Sequence, residues 1–348
     1  MDIVVLCGGL SPERNVSLSS ASKIAAALRE RGHRAVVVDM FLGLEDWDGR
    51  TEDIFACPPP LGGTRIDERE PDLDAVRESR RLKSPGQFGD RVLEVCRMAD
   101  IVFMGFHGQC GEDGRVQAAF DLLGIKYTGA GHLSSAIAMD KDMTKRVVAP
   151  LGVMTPGWTT HDCADMDIDA VCAQTALPVV VKPVDSGSSI GVSIAHTVSE
   201  LRSALESAGR ESSRVVLEQY VSGREIQIGI LGDRALPSIE IRPREGFYDY
   251  KNKYQPGAAE EITPSPIPAE AEERIAASAM TVFNALGLEV YSRADYIYDA
   301  DGNFWFLEIN TLPGMTPTSL VPQEAAVVGY SYADLCEEII RLSLEKYK

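Results

Sequence analysis

The sequence predicts an α/β and α+β protein, with an N-terminal parallel α/β sheet followed by two further lobes of strands and helices. Three observations predict it. Apolar strands alternate with amphipathic helices through 1–130, two β-runs bracket a Gly/Ser loop near Gly187, and a strand pair around Asp301-Gly302 gathers charged side chains on one face. At 348 residues the chain can hold two or three domains, which we place at 1–130, 131–222 and 223–348.

The first segment reads DIVVLCGG, the helix SLSSASKIAAALRERG, the strand RAVVVDM and later RVLEVCRMADIVFMGFHG, the grammar of a parallel sheet crossed by helices. Residues 41–90 interrupt it with Pro58-Pro59-Pro60, Gly62-Gly63 and many charges, and read as an insertion or long loop. The loop CGGLSPERNVS, 7–17, follows the first strand, where ligands of open α/β sheets gather. It lacks the later glycine of a dinucleotide fingerprint. Its Glu13 suits an ammonium group, or is simply a helix-start acid. GFHGQCGEDG, 105–114, places His107 in a Gly-rich loop beyond an apolar strand, a setting that His33, His132, His161 and His196 do not share.

In 131–222, the helix SSAIAMDKDMTKRVVAPLG precedes LPVVVKPVDSGSSIGVSIAH. Lys182 ends a β-run, and Gly187, Ser188, Ser189 and Gly191 form a loop whose N–H groups and hydroxyls can cradle phosphate oxygens. Because the lysine precedes the glycines and a strand follows, this is a strand-loop-strand flap and not a Walker loop. A Gly/Ser loop alone is equally an ordinary turn, so its weight comes from its neighbours. VVLEQYVSGREI, 215–226, sets Glu218 before Gln219-Tyr220-Val221 and Glu225 after a Ser-Gly break. It reads either as a hinge pairing with adenine while an acid takes ribose hydroxyls, or as a strand end with solvated acids.

In 223–348, the stretch 244–257 mixes Phe247, Tyr248, Tyr250 and Tyr254 with Lys251 and Lys253, and reads as a lid over phosphates or an exposed aromatic loop. RADYIYDADGNFWFLEINTLPGM, 293–315, reads as a hairpin. A turn at Asp301-Gly302 sets Asp295 opposite Glu308 and Arg293 opposite Asn310, all on one face, with Ala294, Tyr296, Leu307 and Ile309 on the other. Opposed carboxylates repel unless a cation lies between them. The flanking Trp305 and Phe306, the irregular Thr-Leu-Pro-Gly-Met and the hard oxygen donors favour a Mg2+ site over a solvated face.

Composition excludes several classes. With 34 Lys plus Arg against 52 Asp plus Glu, the net charge of -18 repels a nucleic-acid backbone. The 7 cysteines form no Cys-x-x-Cys pair, which suits reduced thiols. No apolar run approaches a membrane span and no secretory signal is visible, so a cytoplasmic location is expected.

In order, GGLSPERNVS, FHGQCGEDG, YTGAG, MDK, VVVKPVDSGSSIGV, LEQYVSGRE, GFYDYKNKY, SRADY and LEINTLPGMTPTSLVP resemble the D-alanine:D-alanine ligases of the ATP-grasp superfamily, across nearly the whole chain outside 41–90. The resemblance implies a three-domain ATP-grasp ligase with ATP between the middle and C-terminal domains and amino acids between the N- and C-terminal domains. One D-alanine is phosphorylated by ATP, and the second attacks the acyl phosphate to give the dipeptide that ends the peptidoglycan stem.

By the same resemblance, Asp295, Glu308 and Asn310 would hold two Mg2+ ions, with Mn2+ as a substitute. Lys141, Lys182 and Lys253 would face the phosphates, Ser188 and Ser189 would lie on the flap, and Glu218, Tyr220, Val221 and Glu225 would serve the nucleoside. Arg293 and the Gly314 N–H would form the oxyanion hole. Glu13 would take the first substrate's ammonium within a Glu13–Ser188–Tyr254 triad, and Ser319 and Leu320 the second substrate's carboxylate, with His107 close by. A homodimer is implied. Tyr254 favours D-alanine as second substrate over D-lactate, with a D-serine or D-lactate ligase as the alternative. A nucleotide-binding regulator of the same fold would have no need of the oxyanion donor.

Overall fold

The computed structural model describes residues 1–59, 71–187, 190–244 and 259–348. The first sheet is built from β1 (Asp2–Cys7), which leads into helix α1 (Arg14–Glu30), and β2 (Arg34–Asp39). After α2 (Leu73–Ser79) and α3 (Val92–Met98) comes β3 (Ile101–Met104), followed by α4 (Arg115–Leu123). The strands are parallel in the order β2-β1-β3. Ile3 to Cys7 are fully buried, as a parallel strand covered on both faces requires.

The segment 41–90 is more than the long loop its composition suggests. It contains α2, capped by the Asp72 carboxylate on the Ala75 N–H, and two arginines tie its described residues to one another. Buried Arg80 stacks 4.5 Å from the Phe41 ring and donates to the carbonyls of Gly86 and Phe88. Arg91, at a φ of 57°, donates to the carbonyls of Leu44, Trp47 and Gly49.

Helices α5 (His132–Met139) and α6 (Lys141–Val148) lead to β4 (Trp158–Asp162), α7 (Ile168–Gln174), β5 (Val179–Pro183), β6 (Ser193–Ala195), α8 (Val198–Glu211) and β7 (Arg214–Gln219). The antiparallel order is β4-β7-β5-β6. Strict alternation sends Val179, Val181, Val215 and Leu217 into a core with Leu201 and Leu205 of α8, which leaves Val180, Lys182 and Glu218 on the opposite face.

The largest sheet follows: β8 (Arg224–Leu231), β9 (Arg234–Ala235), β10 (Ile239–Pro243), β11 (Ala259–Ile262), then α9 (Ala269–Ala285), β12 (Tyr291–Tyr298) and β13 (Phe304–Asn310). Its order is β11-β10-β8-β12-β13, with β9 paired to β8. One face packs Ile226, Ile228, Ile230, Ala294 and Tyr296 against α9, and the other carries the polar row. Helices α10 (Leu320–Val327) and α11 (Tyr332–Glu345) end the chain. Leu335, Ile339 and Ile340 of α11 share one core with Ile3 to Cys7 of β1, so the last helix completes the first sheet.

The hairpin keeps the expected pairs Arg293 with Asn310 and Asp295 with Glu308, by an unexpected route. Its turn runs from Asp299 to Asn303, where the Asp299 carboxylate accepts from the N–H groups of Asp301 and Asn303, from Asn303 Nδ2 and from Trp305 Nε1. Trp305 therefore serves the turn and not the acidic pair. The outer half pairs Tyr298 with Phe304, one residue out of step with the inner half, and a bulge between Asp295 and Tyr296 restores the register. The extra residue is Leu307. It leaves the core face on which simple alternation placed it and lines the cleft instead.

Candidate active site

The cleft between the second and third sheets is lined on one side by Lys182 and Glu218 and on the other by Asp295, Ile297, Leu307 and Glu308. Glu218 is buried and grips two lysines, Lys182 Nζ at 2.6 Å and Lys145 Nζ at 2.9 Å. Burial alone would raise its carboxyl, but Lys182 and Lys145 overcome that and hold it below the usual range. Lys145 was not singled out from the sequence. Its signal was the i,i+4 spacing from Lys141 on α6. Fully buried, it also donates to Thr155 Oγ1 at 2.7 Å, and Thr155 Oγ1 in turn donates to the Phe306 carbonyl.

Lys141 opens α6 behind its Asp140 cap; its ammonium donates to the Ser186 carbonyl at 2.6 Å and lies 3.2 Å from Glu308 Oε2. It thus joins the start of the flap to the acidic floor. Tyr220 and Val221, just beyond β7, and Glu225, on β8, line the same cleft. Gln227, a second residue sequence reading passed over, sits beside Asp295 in the β8–β12 ladder and donates from Nε2 to Glu225 Oε1 at 2.9 Å. Its Oε1 is buried with no hydrogen-bond partner among the described residues.

On the floor, Arg293 makes a two-pronged pair with Asp295, Nε at 2.8 Å and Nη2 at 2.9 Å, and Asn310 Nδ2 donates to Asp295 Oδ2 at 3.3 Å. The cations that opposed carboxylates need are thus Arg293 and Lys141. The donor set also fits a hard divalent ion, with two carboxylates, a carboxamide and the unpartnered Gln227 oxygen on one polar face, where nucleotide phosphates would complete the coordination.

A second cluster is built where loops of the first sheet meet the exit of β13. Burial lowers the pKa of His107, although the Glu13 charge works against this. The neutral ring donates from Nδ1 to the Leu312 carbonyl at 3.0 Å and accepts at Nε2 from Ser20 Oγ at 2.9 Å. Glu112, to which sequence reading gave no role, accepts the Leu312 N–H at 3.0 Å and the Gly108 N–H at 2.7 Å. Burial, then the Glu13 charge, pushes its carboxyl up to about 8.

Leu312 is therefore clasped at both backbone groups, which fixes the loop carrying Gly314. Gly314 lies against Ser319, where a Cβ would come 3.0 Å from the hydroxyl, and Ser319 Oγ accepts the Thr316 N–H at 3.0 Å. Ser319 is the N-cap of α10 without a side-chain cap, and Leu320 opens the helix. Glu13 is buried between two glycines: a Cβ would come 2.3 Å from its Oε2 at Gly108 and 2.8 Å at Gly187. Ser188, Ser189, Lys253, Tyr254 and the lid residues from 245 to 257 lie outside the described residues.

Residues 2–130 match the family described as D-ala D-ala ligase N-terminus, and 146–341 match D-ala D-ala ligase C-terminus. The chain is 41% identical to D-alanine–D-alanine ligase of Pediococcus pentosaceus over 98% of this chain and 97% of that one. It is 40% identical to the Lacticaseibacillus casei enzyme of the same name, over 100% and 97%. Among solved structures, the Bacillus anthracis D-alanine–D-alanine ligase complexed with ATP aligns with a TM-score of 0.74 at 29% identity, covering 99% of this chain and 98% of that one. The VanG D-Ala:D-Ser ligase from Enterococcus faecalis aligns with a TM-score of 0.75 at 29% identity, covering 98% and 99%. The fold is thus the ATP-grasp fold, here with a cleft between two antiparallel sheets. Within that class, the chain belongs to the D-alanine–D-alanine ligase family.

Proposed function

We propose that this chain joins two D-alanine molecules at the expense of ATP, for peptidoglycan precursor synthesis. The observation that carries the reading is the position of Arg293: its guanidinium pairs with Asp295 on the floor and lies near enough to His107 and Glu112, the two side chains that hold Leu312, for its charge to act on both. A phosphorylation site and an acyl-transfer site that share one wall suit a reaction that passes through an acyl phosphate.

In this reading Lys141, Lys182 and Lys253 neutralise phosphate charge, Ser188 and Ser189 close over the phosphates, Tyr220 and Val221 meet the adenine, and Glu218 and Glu225 complete the nucleoside site. Asp295, Glu308 and Asn310 hold Mg2+, which when bound neutralises charge on the transferring phosphoryl group. The first D-alanine is anchored through its ammonium by Glu13, and the contact of Gly187 with Glu13 supports a triad with Ser188 and Tyr254. Its carboxylate takes the γ-phosphoryl group, ADP leaves, and the amine of the second D-alanine attacks the acyl carbon. Arg293 and the Gly314 N–H stabilise the oxyanion that forms, and phosphate departs as the amide is completed. Ser319 and the helix start at Leu320 bind the second carboxylate.

His107 is a positioning residue in this scheme, since both of its ring nitrogens hold protein groups. The segments 1–130, 131–222 and 223–348 act as substrate domain, nucleotide cover and catalytic floor. We place the enzyme in the cytoplasm as a homodimer.

An ADP-release assay with D-alanine, then with D-alanine plus D-serine or D-lactate, and product masses, tests the reading. D-alanine alone should suffice and yield the dipeptide. Dependence on D-serine would instead favour the VanG-like specificity, whose fold aligns equally well. Tyr254→Phe should gain ester formation with D-lactate, and an unchanged product ratio would remove Tyr254 from the specificity argument.

A further inference from the structure

We propose that Glu324 is a positioning residue for Arg293, a wedge that fixes the spacing between α10 and β8 on which the oxyanion site depends. The inference rests on the ligase reading above. Glu324 lies on α10 beyond Ser319 and Leu320, and its side chain is fully buried. Its Oε1 accepts the Gly229 N–H at 3.1 Å, past the point where the β8–β10 ladder ends with Gln227 and Ile239. Its Oε2 occupies the space a side chain at 229 would need, since a Cβ there would come within 2.4 Å.

Gly229 is the residue opposite Arg293 in the β8–β12 ladder. Directly opposed residues of antiparallel strands project from one face with Cβ atoms about 5 Å apart. Arg293 is therefore flanked by Asn310 of β13 on one side and, in place of a β8 side chain, by the carboxyl of Glu324 on the other.

Burial drives that carboxyl well above the ordinary range, more than the Gly229 N–H and Arg293 lower it, and the charges of Asp295 and Glu272 add to the rise. An uncharged acid can support Arg293 without drawing the guanidinium away from Asp295. The same residue ties α10, at whose start the second substrate's carboxylate would bind, to β8, the strand paired with the one that carries Arg293.

Full-length Glu324→Gln, Glu324→Ala and the double variant Gly229→Ala/Glu324→Ala test this by ADP release with D-alanine, ATP affinity and thermal unfolding. Glu324→Gln should keep kcat and KM within about threefold of wild type, because it preserves shape without charge. Glu324→Ala should lose about 10- to 100-fold in kcat/KM for D-alanine, as a small misplacement does, with ATP affinity within about twofold. The methyl group in the double variant should restore much of the loss. The wedge is overturned by a folded Glu324→Ala with wild-type kinetics, by Glu324→Gln as impaired as Glu324→Ala, or by a double variant no better than Glu324→Ala. Wild-type protein releasing no ADP with D-alanine would overturn the ligase reading itself.

Discussion

Glu112 and Leu312 are 200 positions apart in the chain, yet a carboxyl oxygen of one accepts the backbone N–H of the other at 3.0 Å. The bond carries a pH signature. With its carboxyl pushed up to about 8, folded Glu112 keeps a proton that the unfolded chain surrenders near 4.5. Its contribution to stability is complete below the unfolded value and is lost as the pH rises through the folded one. Glu112→Gln cannot titrate, so its melting temperature should gain on that of wild type between about pH 5 and about pH 9. Melting curves at several pH values check this, and parallel pH slopes for the two proteins would show that the proton is absent.

Glu218 is the sole carboxylate paired with both Lys145 and Lys182 among the described residues. Glu218→Gln leaves Lys145 as a buried charge without its counterion and should cost about 3 to 5 kcal/mol of unfolding free energy in urea titrations. A loss under about 1 kcal/mol would mean that Thr155 and the Trp158 ring, whose centroid lies 5.5 Å from Lys145 Nζ, suffice to hold the ammonium.

Arg293→Lys retains a charge but not the two-pronged geometry toward Asp295. If Arg293 serves the tetrahedral oxyanion as proposed, turnover should fall about 100- to 1000-fold while ATP still binds. If ATP affinity collapses in parallel, Arg293 serves the nucleotide and not the acyl carbon.

Asp295→Asn and Glu308→Gln each remove one negative charge from the floor. The Mg2+ concentration for half-maximal ADP release, and the affinity for Mn2+ measured by electron paramagnetic resonance, should each weaken about tenfold or more. Unaltered Mn2+ affinity in both variants would place the metal elsewhere.

Much of the floor was legible because a strand's period of two is unforgiving: once Asp295 faces Glu308, Arg293 must face Asn310. The path to that register was not legible, since an Asp-Gly pair suggests a tight turn while Asp299 recruits four donors to make a longer one, and the Leu307 bulge corrects the count. Residues that act by holding others were hidden for a different reason. Lys145, Gln227, Glu112 and Glu324 each look like solvated polar positions until a partner from a distant segment is packed against them. Motif strings mark the groups that would touch substrate; the groups that aim them are set by tertiary contacts.

The docking of α11 against α1 and β3 has a consequence for how the molecule is made. On the ribosome, Ile3 to Cys7 emerge well before Leu335, Ile339 and Ile340, which their core also needs. The nascent first sheet therefore waits, with part of its apolar surface uncovered, until Tyr332–Glu345 has been synthesised. A prematurely terminated chain ending before Tyr332 would lack the helix that covers its own first core.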